Sequence, residues 1–141
     1  MPPNQFAFRH SIDVRFRDCD AMGHVNNAVF LTFLEQCRLM FWQTLTGTGS
    51  PGSGIILARV ECDYRAPAYF RDVLEVRLNV GSIGRSSFAL NHEIVNLATG
   101  KQLAEAKTIL VAYDYSAGRS IPIPPETRTL LESVQSGGWA R

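Results

Sequence analysis

The sequence predicts an α+β domain in which one long helix is wrapped by a five-stranded antiparallel sheet. Three observations lead there. Residues 28–45 follow a helical period yet are apolar on almost every side. Beyond them come four strand-like segments rich in Ile, Val, Tyr and Phe, at roughly 55–66, 72–82, 86–96 and 102–115. The connections between those segments are short, whereas a parallel crossover needs about a dozen residues or more. A helix with so little polar surface is buried on several sides, and a sheet curled around it is the simplest cover.

Taken in order, Phe6–Phe16 alternates apolar and polar residues, with Phe8, Ile12, Val14 and Phe16 largely on one face, as in a half-buried strand. A dense polar run, RDCDAMGHVNN at 17–27, follows it. The helix comes next, with Val29, Phe33, Leu34, Cys37, Met40 and Phe41 on one side; Phe30, Leu31, Leu39 and Trp42 extend the apolar surface. At 1.5 Å per residue it is roughly 27 Å long. GTGSPGSG at 47–54 ends it and formally satisfies GxGxxG. That match carries no function, because a dinucleotide loop follows a strand and opens a helix, and this one follows a helix. Its composition predicts a flexible connection. The prolines of SIPIPPETRTLLESV stop the sheet and stand where a short terminal helix can begin.

The 141 residues suit one domain with a real core, about 8–128, and a tail over 129–141. A composition of 45% hydrophobic and 19% charged residues is that of an ordinary soluble protein. The formal net charge of +1 provides no electrostatic footprint for nucleic acid or an anionic membrane. No apolar run reaches the roughly 18 residues of a membrane span, and the early charges of the N-terminus are unlike a secretory signal. Cys19, Cys37 and Cys62 are an odd, widely spaced set, which argues against a disulfide framework and for the cytoplasm. His10, His24 and His92 are equally scattered, and no metal site is expected.

The polar run carries the chemistry. A helix beginning at Asn26 or Asn27 presents unpaired backbone N–H groups and a partial positive charge to whatever lies before it. Such an N–H can polarise a carbonyl as an oxyanion hole does. Asp20, a few residues upstream, can face the same spot as a nucleophile or as a general base for water. Gly23 allows a tight backbone turn between them. The same residue types also make ordinary turns and caps, with Asn26 a good N-cap, so composition alone leaves both readings open.

VRFRDCDAMGHVNNAVFLTFLEQCR resembles the D-x-D-x-x-G-H-V-N-N signature of the 4-hydroxybenzoyl-CoA thioesterase branch of the hotdog-fold acyl-CoA thioesterases. VECDYRAPAYFRDVLEV and IPIPPE are similar to further stretches of that family, and the likeness covers most of residues 8–128. It implies a hotdog fold and hydrolysis of an acyl-CoA thioester to a carboxylic acid and free coenzyme A. Coenzyme A is then part of the substrate, and no separate cofactor is implied. By position, Asp20 matches the family's catalytic carboxylate and Asn27 the residue whose backbone N–H polarises the thioester carbonyl. Gly23 and Asn26 fall in the same loop, His24 is auxiliary, and Asp18 braces the loop. Phe30 departs from the pattern, where tyrosine is common. Arg85, Ser86 and Ser87 are the expected coenzyme A contacts, with Arg65 behind them. Glu35 is expected to pair with a cation or to face a partner subunit. The resemblance also implies a homodimer or homotetramer with active sites at the dimer interface, consistent with the exposed edges of a five-stranded sheet. A hydratase or dehydratase of the same fold, or a non-catalytic acyl-CoA-binding module, are the competing functions.

Overall fold

The computed structural model describes residues 6–47 and 54–139. The first strand, β1 (Phe8–Asp13), is shorter than the alternation suggests. Phe16–Asp18 leaves the sheet as a single 3-10 turn, because the Asp18 carboxylate takes the Arg15 backbone N–H at 2.8 Å. The long helix, α1, spans Asn27–Thr46 and ends at Gly47, whose φ of +68° is the left-handed conformation that glycine adopts without strain. The rest of the glycine-rich loop, 48–53, lies outside the described residues.

Strands β2 (Ile55–Tyr64), β3 (Val73–Ile83), β4 (Ser87–Asn96) and β5 (Gln102–Asp114) follow, with a two-residue strand β6 (Arg119–Ser120) and a C-terminal helix α2 (Pro125–Gln135). The sheet is antiparallel throughout, in the order β1-β3-β4-β5-β2, with β6 added on β5. It therefore has six strands where the sequence predicts five, and it does not close. The extra strand is too short for any period to reveal it.

Alternate residues of the central strands enter the core: Leu74, Val76, Leu78 and Val80 from β3, and Phe88, Leu90, His92 and Ile94 from β4. They meet Phe33, Leu34, Cys37 and Phe41 of α1, and Trp42 stacks on Phe88 with ring centroids 5.8 Å apart. Met40, expected inside, is exposed, and Arg38 is buried in its place. The core also extends past residue 128: Leu131 and Val134 of α2 are buried, and Trp139 lies against Phe8 and Phe41. Strand β2 differs from the rest. It pairs on one side only, with β5, and Ile56, Leu57 and Val60 remain substantially exposed.

One polar pair sits inside. His92 is 3% exposed; its Nε2 lies 3.0 Å from Thr108 Oγ1, and its Nδ1 has no partner among the described residues. Burial, reinforced by the nearby positive charge of Arg38, lowers its pKa to about 3. The unfolded chain therefore binds this proton near pH 6.5 while the folded chain refuses it, so stability rises with pH through that window. From pH 6.5 down to 5, where carboxylates contribute little, this one group should remove about 2 kcal/mol. His10, also lowered by burial, adds a smaller effect of the same sign. Urea unfolding at pH 6.5 and pH 5 should show that loss, and His92→Gln should leave only the His10 part of it.

Candidate active site

The loop between β1 and α1 is held by its first aspartate. Asp18 is 3% exposed and accepts three hydrogen bonds from Arg15: the backbone N–H at 2.8 Å, Nη2 at 2.9 Å and Nε at 3.3 Å. Burial alone would raise its pKa, but the hydrogen bonds and charge of Arg15, with Arg17, outweigh it and hold the carboxyl below the usual range. The Asp18 backbone carbonyl takes the Asn26 N–H at 3.0 Å, and Val25 N–H reaches Ala68 O at 2.8 Å. With the bridge between Cys19 and Val25, these bonds draw 18–26 into a closed loop. Gly23 turns its tip at φ +87°, and no neighbouring atom crowds its α-carbon, so the requirement is conformational and not spatial.

Asp20 hangs from this frame on different terms. Its backbone is fixed from both sides, by its own N–H to His24 O at 3.0 Å and by Gly23 N–H to its carbonyl at 3.1 Å. Of its carboxylate oxygens only Oδ1 is engaged among the described residues, by Met22 N–H at 2.8 Å. Asp18 is saturated and braces; Asp20 keeps an oxygen available for chemistry.

The helix start supplies the opposite polarity. Asn26 caps α1, its Oδ1 accepting Ala28 N–H at 2.8 Å, while its carbonyl accepts Val29 N–H at 2.9 Å. The Asn27 N–H, between them, has no partner among the described residues. Tyr64, from the end of β2, donates its hydroxyl to the Asn27 carbonyl at 2.7 Å and stands edge-on to Phe30. Burial, together with Cys62 beside it, raises the Tyr64 pKa, so the phenol stays a donor.

Asp20, His24, Asn27, Phe30, Tyr64 and Arg65 line one cleft of about 350 Å³, with Val25, Ala66 and Pro67. That is within the size range of small-molecule sites. His24 Nδ1 lies 3.3 Å from Val25 O, which favours the tautomer with its proton on Nδ1 and Nε2 free to accept. Arg65 pairs with Glu105 at 2.9 Å at the rim. Gly23 and Asn26 shape the loop without lining the cleft. Arg85, Ser86 and Ser87 are not at this cleft. Ser87 pairs with Val111, which pairs with Ile56, whereas Tyr64 pairs with Ala104, so their hairpin lies at the other end of the sheet. Among the described residues no three His, Cys, Asp or Glu side chains gather as a metal site, and no helix is long and apolar enough to cross a membrane.

Asp20, with a carboxylate oxygen left over, and Asn27, with an unpartnered N–H at the helix start, thus line one cleft, the outline of an acyl-transfer site. Comparison gives it a family. Residues 14–131 match the model of the thioesterase-like superfamily, and the chain belongs to that superfamily and has its hotdog fold. A thioesterase of Thermus thermophilus, solved with coenzyme A and zinc, superimposes with a TM-score of 0.85 at 32% identity, covering 94% of this chain and 96% of its own. The long-chain acyl-CoA thioesterase FadM of Escherichia coli is 27% identical over 129 residues, 87% of this chain and 96% of that protein. The 1,4-dihydroxy-2-naphthoyl-CoA hydrolase of Synechococcus elongatus is 26% identical over 128 residues, 84% and 90% respectively.

Tyr64 is the site residue that sequence reasoning passes over. It stands beside Arg65 in DYRAP, but only the β2–β5 register shows that its hydroxyl meets the helix start. Tyr64→Phe should cost about 0.5–1 kcal/mol in urea unfolding, the worth of one partly exposed hydrogen bond, and hydrogen exchange should quicken in the first turn of α1.

Proposed function

We propose that the chain hydrolyses acyl-CoA thioesters, with Asp20 as the catalytic carboxylate and the Asn27 N–H as the oxyanion donor. The observation that carries this reading is the pairing of an under-used carboxylate with an unpartnered helix N–H on one cleft. The superfamily membership and the acyl-CoA activities named for the relatives support it. The acyl group lies against Phe30 and Tyr64, with its carbonyl oxygen at the Asn27 N–H. Asp20 either attacks the carbonyl carbon, expelling the thiolate and leaving a mixed anhydride that water then hydrolyses back to the free carboxylate and the acid, or takes a proton from the water that attacks. In the general-base form, the new C–O bond forms as Asp20 accepts the proton. The tetrahedral intermediate then expels the thiolate, which takes the proton back and leaves as free coenzyme A. The helix N-terminus stabilises the oxyanion in either form, because its partial positive charge is already in place. Among the described residues Cys19, Cys37 and Cys62 are free thiols, which fits a reducing compartment, and we place the enzyme in the cytoplasm.

The active form is a homodimer or a tetramer built from it. Strand β2 has an unpaired edge with exposed apolar side chains, a template for another strand. When a second copy adds its β2 antiparallel to this edge, the Tyr64 end of one strand lies level with the Ile55 end of the other. The Arg85–Ser87 hairpin of the partner then comes to the end of the sheet where the cleft opens. Arg85, Ser86 and Ser87 contact the coenzyme A moiety from there, and Arg65 assists from the cleft's own chain.

Asp20→Asn keeps shape and turn chemistry while removing charge and basicity. Turnover, read as free thiol release, should fall at least about 100- to 10,000-fold, with the circular dichroism spectrum unchanged. Asp18→Asn should lower turnover clearly less and reduce stability more. A folded Asp20→Asn variant with near-normal turnover would sink the mechanism. Arg85→Ala should raise the Michaelis constant for acyl-CoA at nearly constant turnover, the pattern of lost uniform binding; collapse of turnover alone would show the assignment to be wrong.

A further inference from the structure

Arg38 is a buried cation that no anion among the described residues satisfies. It lies at the start of the fourth turn of α1 and is only 9% exposed. It makes no salt bridge and no hydrogen bond among the described residues. Its neighbours cannot neutralise it. Burial pushes the Cys37 thiol up to about 12, so no thiolate forms there. His92 stays neutral with a pKa of about 3. The remaining group is Glu35, whose charge Arg38 feels but whose carboxylate is not within ion-pair distance. A guanidinium so placed is costly unless an anion reaches it.

The space for that anion is visible. Leu31, Thr32, Glu35 and Arg38 of α1, with Leu57 and Val60 of β2, line a cleft of about 160 Å³. Leu57 and Val60 are 42% and 37% exposed, and they lie on the strand whose other edge is unpaired. The cleft thus joins an apolar strip, an unsatisfied cation and an acid one turn away on the same helix face. A surface of that kind is complementary to itself: a two-fold axis through it brings each cation towards the other copy's acid. Continuity with the β2 edge puts the same axis through the strand pairing.

We propose that this cleft seats a second copy of the chain, with Arg38 of each subunit paired to Glu35 of the partner subunit across the two-fold axis. The inference rests on the homodimer proposed above and adds to it the contact that closes the helix side of the interface. Mutual insertion removes both charges from water together, which is the condition under which a buried ion pair holds partners in register.

The test is the dimer dissociation constant from sedimentation velocity over a dilution series, with circular dichroism to confirm folding. Arg38→Glu and Glu35→Arg should each weaken the dimer at least about 30-fold, since each sets like charges face to face in the cleft. The double exchange, Glu35→Arg with Arg38→Glu, should restore it to within about fivefold. Arg38→Met and Glu35→Gln provide a second cycle should charge reversal unfold the chain. There the second substitution should add little once the first is made. Single variants that dimerise as the wild type does, or double variants that lose the sum of both single effects, overturn the pairing. A wild-type chain that stays monomeric overturns the homodimer with it, whereas a dimeric wild type with unmoved constants overturns the pairing alone.

Discussion

A helix apolar around nearly its whole circumference has to be enclosed, and the rest of this structure follows from enclosing α1. Leu34, Cys37 and Phe41 are completely buried, and each such side chain is worth roughly 1.5–3 kcal/mol against exposure. No single flat layer could collect that burial. The sheet collects it by bringing alternate residues of β3 and β4 against the helix, while α2 and Trp139 cover the flank near Phe8 and Phe41. Packing of this density fixes the position of the helix along its axis, and hence the position of its N-terminus. The unpaired Asn27 N–H is a property of any helix start. What the fold adds is a hold on this start, because Tyr64 donates to the Asn27 carbonyl and the Asn26 cap takes the next N–H.

Two aspartates two residues apart do different work because their surroundings differ. Asp18 spends both oxygens on Arg15 and its carbonyl on Asn26, so it is a structural anion. Asp20 accepts one backbone N–H and lines the cleft. The spacing of the D-x-D pair thus separates a brace from a carboxylate left available, and the closed loop of 18–26 that carries both leads directly into the helix. The site is local in sequence for this reason, and its proposed completion is not.

That division also decides what can be read without coordinates. The helix is legible from its period, the β3-β4-β5 hairpins from their short connections, and Asp20, Asn26 and Asn27 from residue types that make both turns and chemistry; the equally short link from β2 to β3 misleads, because it joins strands that are not neighbours in the sheet. Alternation puts Phe16 in a strand because it cannot register the Asp18 turn that pulls that residue out. Arg38 is invisible because one charge in a helical pattern does not announce whether it faces solvent or core. Tyr64 needs the β2–β5 register, which a sequence does not contain. Likeness groups Arg85, Ser86 and Ser87 with Asp20, and the register puts them at opposite ends of one subunit. The two facts are reconciled if the site is assembled from two copies.

Mixing of subunits tests that most directly. Asp20→Asn and Arg85→Ala chains, each impaired alone, are denatured together, refolded at equal amounts and assayed at substrate well below the Michaelis constant. A site built from Asp20 of one subunit and Arg85 of the other leaves one intact site in every mixed dimer. Half of randomly assorted dimers are mixed, so activity should recover to roughly a quarter of the wild-type level. Activity equal to the average of the two parents would contradict a shared site and place Asp20 and any role of Arg85 within a single chain.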